Sequence, residues 1–382
     1  VFTSGLTKDL NNDKLPINVP DNVPFKPLTN KHDFFDWQLF QRIALEKNNE
    51  NVVVSPFSVK ILLSILKEAS ASLSLQELAL ALVDIPAGKD GHKLYQDILK
   101  SLEVSDSEDY QLDIGTKLYV GNSVTPRADF LEVAKSVYHT SIDNVDFNKR
   151  EETAEKINNW CSNVTNGSIK ELVILDGLVA VLANAIYFKG TWDLPFDEKR
   201  TSLLDFTLKT GEPLPVSAMS QIGHFYFLET KELGEGAKLL RMAYKVIATK
   251  PLSSIIFTNS KTIFYYRELT VWIKKQLLLN SRKFFKRYNI YLKFFLNIRN
   301  IFSETAQLPG FGKDIFVSDI IQKAGIRVDE KGTKIYAATE AGLGVRFSID
   351  TFHALHPFAF FLEDETTGAL LFAGKVVDPT KH

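Results

Sequence analysis

Residues that could carry chemistry are few in this chain, and none of them forms a known catalytic signature. The sequence contains no nucleophile elbow, no zinc-binding helix motif and no phosphate-binding loop. His353 and His356 are three residues apart, a spacing that could serve a metal ion. Beside Pro357, in a strand-like context, both are more simply interpreted as core or surface histidines. The sequence therefore predicts no enzyme and no metal or cofactor site.

The most unusual residue pattern in the chain is the stretch 328–350, which resembles neither an ordinary loop nor an ordinary core strand. Residues 330–332 form a polar pivot centred on a glycine. After the pivot, one phase of a two-residue alternation is small and mostly apolar: Thr333, Ile335, Ala337, Thr339, Ala341 and Leu343. Because successive strand side chains point to opposite faces, this phase could pack against a core. Alanine and glycine are poor strand formers, so little holds the segment in a sheet by itself.

Two interpretations of this stretch remain open on the residues alone. In the first it is a moving part, hinged at Gly332 and carrying Arg346, the only basic residue between Lys334 and His353. In the second it is an edge strand with a glycine-rich exit. The alternation by itself slightly favours the edge strand.

The rest of the chain supplies enough apolar material for a large core. The 382 residues are 45% hydrophobic and 24% charged, which is typical of one large or two average globular domains. A net charge of −1 gives no argument for binding nucleic acid or an anionic membrane. Cys161 is the single cysteine, which excludes an intrachain disulfide and a multi-cysteine metal site.

The two ends of the sequence differ in what they predict. Residues 1–30 contain four prolines among polar residues and are expected to form an extended arm. The chain begins at Val1 without a basic-then-apolar leader, so we expect that a leader has been removed or that the sequence is partial. The longest apolar run, 172–188, is broken by Asp176 and Asn184 and is too short to span a bilayer.

Periodic patterns predict the elements that would position the stretch 328–350. A helix is expected from Asp33 onward. A short apolar strand at 51–54 leads into a second helix that has Pro56 just inside its start. Residues 112–120 predict a sheet strand, and the apolar run ending at Phe188 predicts a turn followed by a buried strand.

Several of these segments together resemble the serpin family. Residues 330–333, followed by Ala-Ala-Thr at 337–339, are similar to the hinge of the serpin reactive-centre loop. Residues 352–358 resemble the strand after that loop, and 370–379 resembles the carboxy-terminal signature. The stretch 182–192 is among the most specific matches. The motifs occur in family order and at nearly family spacing.

The resemblance implies a fold and an organisation. The fold class would be α+β, with three β-sheets, about eight or nine helices and an exposed reactive-centre loop at about 330–351. Residues 31–382 would form a single domain behind the arm at 1–30. The protein would be a secreted, extracellular monomer without a cofactor, and it would bind neither nucleic acid nor membrane.

The resemblance also implies a polar cluster that controls whether the central strands of the main sheet separate. The matching residues in this chain are Asn51, Ser55, Ser58, Asn184 and Gln322. Ser55 and Ser58 could equally serve as helix caps. Gln322 stands where many serpins have a histidine, so this cluster should lack a histidine-like pH response.

As a serpin, the protein would inhibit a protease by acting as its substrate. A trypsin-like serine protease would cleave the loop, become acyl-linked to it and be trapped when the hinge inserts into the main sheet, as serpin loops do. Family spacing places the reactive bond at Arg346-Phe347, and arginine suits an acidic primary pocket. A slip of one residue would give Phe347-Ser348 and a chymotrypsin-like target.

The predicted hinge comprises Glu330, Gly332, Thr333, Ile335, Ala337, Ala338 and Thr339. It departs from the small-residue pattern of inhibitory members at Lys334, Ile335 and Tyr336. The alternation places Lys334 and Tyr336 outward, whereas an inward Ile335 could cost about 1–3 kcal/mol by overpacking. The alternative is therefore a non-inhibitory serpin, with a binding or carrier role or as a degraded family member.

The resemblance fades between residues 245 and 302. No acidic residue lies between Glu268 and Glu304, and the strand that the family carries here is not recognisable. Basic residues interleaved with aromatic ones leave a nucleic-acid or membrane patch as a less favoured alternative. A diverged region, or translated non-coding sequence, is the preferred interpretation.

Two glycosylation acceptor triplets begin at Asn163 and Asn166. Such triplets are common by chance, and their use requires secretion.

Overall fold

The structure is a computed structural model, which describes residues 33–83, 85–103, 110–170, 180–222, 225–230, 237–245, 252–258, 270–273, 275–277, 297–312, 315–330 and 352–381. The predicted arm at 1–30 lies outside these ranges. So does the part of the predicted reactive-centre loop that follows Glu330.

Six α-helices are present in the described ranges. They are α1 (Asp33–Glu46), α2 (Pro56–Ala69), α3 (Ser72–Ala81), α4 (Lys89–Leu102), α5 (Ala128–Ser136) and α6 (Arg150–Val164). Short 3-10 helices occur at Glu198–Arg200 and Asn300–Phe302. The six helices are fewer than the eight or nine predicted for the whole chain. None of the helices described is long and apolar enough to cross a membrane.

Fourteen strands occur in the same ranges. They are β1 (Val52–Val54), β2 (Tyr110–Gly121), β3 (Ser141–Val145), β4 (Ala180–Gly190), β5 (Ser202–Thr207), β6 (Pro213–Ser220), β7 (Tyr226–Thr230), β8 (Ala237–Ala243), β9 (Leu252–Thr258), β10 (Thr270–Ile273), β11 (Lys275–Leu277), β12 (Asp319–Val328), β13 (Phe358–Asp364) and β14 (Ala369–Val376).

These strands form three sheets, as predicted. The six-stranded sheet has the order β1-β14-β13-β9-β8-β7, the three-stranded sheet β10-β6-β5, and the five-stranded sheet β11-β12-β4-β2-β3. The α+β class with three sheets is therefore confirmed. The edge strand β11 is present although no strand of the five-stranded sheet was recognised in this part of the sequence.

Helix α2 lies between the two larger sheets. It contacts β14 on one side and β4 and β12 on the other. Leu62, Leu63 and Leu66 are fully buried, as expected for a helix that is apolar nearly all round. The helix begins where predicted, because Ser55 accepts a hydrogen bond from the backbone N–H of Ser58 and Pro56 occupies the first turn.

Strand β4 is buried on both of its faces over most of its length. One face, which includes Leu182 and Ile186, packs in the main core with α2. The other face, which includes Val181 and Ala185, packs in a second buried cluster that contains residues of α6. The five-stranded sheet is thus a layer between α2 and α6.

Candidate functional site

The centre of the five-stranded sheet is a parallel pairing between β4 and β12, which we call the β4–β12 joint. It runs in continuous register from Asp319 opposite Val181 to Arg327 opposite Lys189. The outer neighbours are antiparallel, since β2 is antiparallel to β4 and β11 is antiparallel to β12. The reactive-centre loop predicted from the sequence begins directly after the end of β12.

The strand directions determine where an additional strand could pair best in this sheet. A chain that leaves the end of β12 and turns back runs antiparallel to β12. Between β12 and β4 it would be antiparallel to both neighbours, whereas between β12 and β11 it would be parallel to β11. Parallel pairing is slightly less stable per residue than antiparallel pairing. The joint is therefore the position at which a returning strand gains the most favourable pairing on both sides.

A row of buried polar side chains crosses the joint on the face toward α2. Thr116 of β2, Asn184 of β4 and Gln322 of β12 are register neighbours. The Asn184 Nδ2 donates to Thr116 Oγ1 at 3.0 Å. The amide oxygen of the same side chain, Asn184 Oδ1, has no hydrogen-bond partner in the described ranges and is fully buried. A buried acceptor without a partner carries a desolvation penalty of about 1–3 kcal/mol.

Gln322 ties this row to the start of α2. The backbone N–H of Ser55 donates to Gln322 Oε1 at 3.1 Å, and Gln322 Nε2 donates to the Ser55 carbonyl at 2.8 Å. The Ser55 hydroxyl donates to Ser58 Oγ at 3.0 Å. All three side chains are buried, with Gln322 only 4% exposed. The paired bonds hold β12 in one position relative to the helix beneath it.

Four of the five residues predicted for the polar cluster are in this region, and Asn51 is elsewhere. Its Nδ2 donates to the carbonyls of Asp378 and Lys381, and its Oδ1 accepts from the N–H groups of Val377 and Asp378. Asn51 thus fastens the chain after β14. Thr116 was not among the residues predicted for the cluster, although it is a polar residue within the apolar phase of β2.

The start of the predicted hinge is fastened to the three-stranded sheet. Glu330 is 2% exposed and accepts a hydrogen bond from Thr201 Oγ1 at 2.9 Å, just before β5. The other hinge residues and the reactive bond lie outside the described residues: Gly332, Thr333, Ile335, Ala337, Ala338, Thr339, Arg346 and Phe347.

Helix α6 packs on the outer face of the five-stranded sheet, over β2 and β4. Its residues Ile157 and Cys161 share a buried cluster with Ala183 of β4 and Ile321 of β12. A close approach is possible because β2 has Gly115 beneath the helix, where a Cβ atom would lie 2.6 Å from the Val164 side chain. Burial raises the pKa of the Cys161 thiol to about 12, so this thiol is unreactive while the helix is in place.

The two candidate glycosylation asparagines are exposed at the end of α6. The hydroxyl of Thr165, which belongs to the first triplet, is buried. It donates to the Cys161 carbonyl at 2.8 Å and accepts from the Ile169 N–H at 3.0 Å. Attachment at Asn163 would therefore have to precede the folding of this turn.

The two histidines near the carboxy terminus are not brought together with acidic or cysteine ligands. No group of three metal-ligating side chains occurs in the described part of the chain. His356 is 6% exposed. Burial, together with the neighbouring His353, lowers its pKa to about 3.

Comparison with known proteins gives consistent results over nearly the whole chain. A family model described as Serpin (serine protease inhibitor) matches residues 30–379. The chain is 33% identical to Serine protease inhibitor 2 of Anopheles gambiae over 372 residues, covering 89% of this chain and 90% of that protein. It is 29% identical to Antichymotrypsin-2 of Bombyx mori over 374 residues, covering 91% and 97% of the two chains.

Solved structures show the same fold. The native stressed conformation of Arabidopsis AtSerpin1 has a TM-score of 0.77 at 22% identity and covers 93% of this chain and 99% of its own. Uncleaved ovalbumin also has a TM-score of 0.77, at 21% identity, and covers 93% and 100%.

Proposed function

Because the chain belongs to the serpin family, we propose that it traps a trypsin-like serine protease by cleavage at Arg346-Phe347. The family and its named relatives support serine protease inhibition in general. The specific target class is inferred from arginine at the expected reactive position, which suits a primary pocket with an acidic floor. We further propose that the protein acts as a secreted monomer.

The proposed reaction is an interrupted proteolysis. The protease serine attacks the Arg346 carbonyl, the bond to Phe347 breaks, and Phe347 becomes a new amino terminus. Arg346 is then held as an ester of the protease serine. Normally water would hydrolyse this ester. Trapping requires the hinge to insert into the sheet, with the protease attached, before water completes the reaction.

The observation that carries this proposal is the parallel β4–β12 joint. Insertion exchanges one parallel ladder, nine residue pairs long, for two antiparallel ladders. Each added hydrogen bond contributes roughly 0.5–1.5 kcal/mol net. A segment that is hydrogen-bonded to a strand on each side is therefore much more stable than the same segment in solvent. The uncleaved chain cannot reach this more stable pairing, because the predicted loop is covalently connected to the fold at both of its ends.

The polar row also supports insertion at this position. Thr333 and Thr339 belong to the inward phase of the hinge, and a hydroxyl brought to the row would supply the donor that Asn184 Oδ1 lacks. Ile335 belongs to the same phase and is the residue that opposes insertion, since overpacking costs about 1–3 kcal/mol.

The proposal is tested by mixing the protein with trypsin and separating the products by denaturing electrophoresis. We expect a band that contains both proteins and survives denaturation. The Arg346→Ala variant should give no such band and much less cleavage. The Thr333→Arg variant should be cleaved at the same bond without forming the complex, because a buried charge opposes insertion. Clean cleavage of the unmodified protein without a complex would reject the proposal.

The bulky hinge residues favour a second candidate, a non-inhibitory serpin with a binding role. Under this alternative, cleavage at Arg346 leaves the β4–β12 joint closed. Differential scanning calorimetry before and after cleavage distinguishes the two functions. A large rise in Tm supports insertion, and an unchanged Tm supports the binding role.

A further inference from the structure

One carboxylate links helix α6 to the five-stranded sheet. The Oδ2 atom of Asp143, in β3, lies 3.1 Å from Lys117 Nζ of β2 and 3.3 Å from Lys156 Nζ of α6. Lys156 also donates to the Asn144 carbonyl at 3.4 Å. Burial alone would raise the pKa of Asp143, but the two ammonium groups outweigh it and the pKa is lowered. The carboxylate therefore stays ionised and bridges the two layers.

The layer beneath α6 contains an unfavourable group that opposes this bridge. Tyr119 of β2 is fully buried, and its hydroxyl has no hydrogen-bond partner in the described ranges. Its ring lies edge-on to Trp160 of α6, with ring centroids 6.3 Å apart. Lifting the helix would let water reach this hydroxyl, so solvation of Tyr119 favours the open arrangement. The ion pairs and Tyr119 thus act in opposite directions.

The buried cluster of the helix also reaches the joint. Ile157 and Cys161 share it with residues of both β4 and β12. Separating these strands would divide that cluster, so opening the joint disturbs the packing beneath the helix. That packing resists separation of the strands only while the helix remains seated.

We propose that Asp143 is an electrostatic clamp that keeps α6 seated over the β4–β12 joint, so that salt weakens the clamp and promotes opening. Partly exposed ion pairs are screened as ionic strength rises, whereas apolar packing is not. Asp143 is a positioning residue, since it acts through the helix and not on the reactive bond. Its effect on protease trapping rests on the proposed function, but its effect on the helix does not.

The chain contains its own reporter for this motion. Cys161 is the only cysteine, is fully buried and faces the sheet from α6. A thiol reagent can reach it only when the helix lifts or the protein unfolds. The reaction of the intact, uncleaved protein with Ellman's reagent therefore measures the opening of α6 without any protease.

The test compares labelling rates at about 20 mM and about 500 mM sodium chloride, a range over which screening changes strongly. We expect faster labelling of the unmodified protein at high salt. The Asp143→Asn variant should label roughly three- to tenfold faster at low salt and lose most of the salt dependence. Asp143→Glu should restore part of the slow labelling at low salt and part of the salt dependence. Equal rates for the unmodified protein and Asp143→Asn at low salt would overturn the proposal.

Two further variants separate the clamp from a general loss of stability. Glu152→Gln removes an exposed carboxylate of the same helix, whose partner Lys149 lies at the helix start, and should label like the unmodified protein. Lys156→Gln removes the ion pair that reaches the helix, leaves the Lys117–Asp143 pair within the sheet intact, and should give an increase similar to that of Asp143→Asn. Because Lys156 is 47% exposed, this variant is expected to fold even if Asp143→Asn does not. No increase with Lys156→Gln would reject the clamp.

A trypsin assay then links the clamp to function. Asp143→Asn should lower the number of inhibitor molecules cleaved per protease trapped, since a released helix speeds insertion. An unchanged ratio, with faster labelling, would limit the clamp to the uncleaved state and overturn its effect on trapping. Failure of the unmodified protein to trap any protease would reject the proposed function, while the labelling rates would still decide the clamp.

Discussion

The two larger sheets, which share helix α2 between them, are built in opposite ways. In the six-stranded sheet every neighbouring pair is antiparallel. In the five-stranded sheet the β4–β12 pair is parallel, as is the edge pair β2–β3, and a polar row crosses the β4–β12 pair. The first sheet therefore has no position where an added strand would improve the pairing, whereas the second has such a position at the joint, directly beside the strand from which the predicted loop leaves. The same helix thus supports one sheet suited to staying closed and one suited to opening.

The bonds from side chains to backbone groups lie at different places in the two sheets. In the six-stranded sheet they lie at the margin, where Asn51 bonds the chain after β14 and Lys375 Nζ donates to the carbonyls of Ala44 and Lys47. In the five-stranded sheet they lie at the joint, where Gln322 bonds Ser55. Breaking the Gln322 bonds would release β12 from the start of α2 without dismantling a strand ladder.

The largest effect should come from crowding the closed sheet. In Gly374→Ala, the added Cβ would lie 2.2 Å from the Phe360 ring and 2.9 Å from the Val52 carbonyl oxygen. Neither the ring nor the backbone can move far within a packed sheet, so we expect a loss of about 3 kcal/mol or more in unfolding free energy. Urea denaturation measures it.

Gly211→Ala is the control for that substitution. Gly211 has a φ of +89° and nothing within 4 Å of an added Cβ, so its cost comes from the backbone alone, about 1–2 kcal/mol. Equal losses at the two positions would show that the six-stranded sheet tolerates crowding and would weaken the contrast between the sheets.

The second effect is on pH dependence and should arise beside the six-stranded sheet. Burial holds the folded pKa of His356 near 3, below its ordinary value of about 6.5. Between these values the unfolded chain takes up a proton that the folded chain does not. Stability should therefore fall by about 2–3 kcal/mol as the pH drops from about 6.5 to about 4.5.

Denaturation midpoints across that pH range measure this effect. In His356→Gln the slope of stability against pH should be reduced, whereas His139→Gln, at an exposed histidine, should keep most of that slope. Gln322 cannot titrate, so Gln322→Ala should leave the slope unchanged. A slope that vanishes with Gln322→Ala would place the pH sensitivity in the joint instead.

The third effect should appear only in the joint. Gln322→Leu removes both bonds to Ser55 and leaves a buried N–H and carbonyl without that partner, at a cost of about 1–3 kcal/mol. We expect a lower Tm for the uncleaved protein. Gln96→Leu is the control, because Gln96 donates to the Ser136 carbonyl at an exposed site, where a change of about 0.5 kcal/mol or less is expected. Equal shifts would contradict a special role for Gln322.

The smallest effect should come from releasing the start of the hinge. Thr201→Val keeps the shape of the side chain and removes its bond to Glu330, at a cost of about 0.5–1.5 kcal/mol. Hydrogen exchange at the end of β12 should accelerate. Thr210→Val, which removes an exposed bond to Glu212, should leave that exchange rate unchanged. Equal protection in both variants would show that the Thr201 bond does not restrain the hinge.

The sequence was informative where local chemistry decides the structure. Ser55 and Pro56 predicted the start of α2, and the apolar run ending at Phe188 predicted a buried strand. Both signals depend on a few adjacent residues, as caps and buried strands do. The family resemblance added the three sheets and grouped Ser55, Ser58 and Gln322, which are far apart in sequence.

What the sequence could not predict depends on long-range register. Thr116 joins the polar row only because β2 and β4 pair with it opposite Asn184. Asn51 fastens the chain after β14 because β1 pairs with β14 and brings the two segments together. Neither partner is visible from the neighbouring residues, since register between distant strands is set by the assembled core. The clamp at Asp143 has the same origin.

The bond between Asn51 and Asp378 connects residues 327 positions apart in the sequence. During synthesis, β1 leaves the ribosome long before β14, the strand with which it pairs. Every strand of the five-stranded sheet precedes both β13 and β14, so the five-stranded sheet is available for assembly before the six-stranded sheet can be completed. Such distant pairings fold slowly, and we expect the nascent chain to need protection from aggregation until β14 emerges.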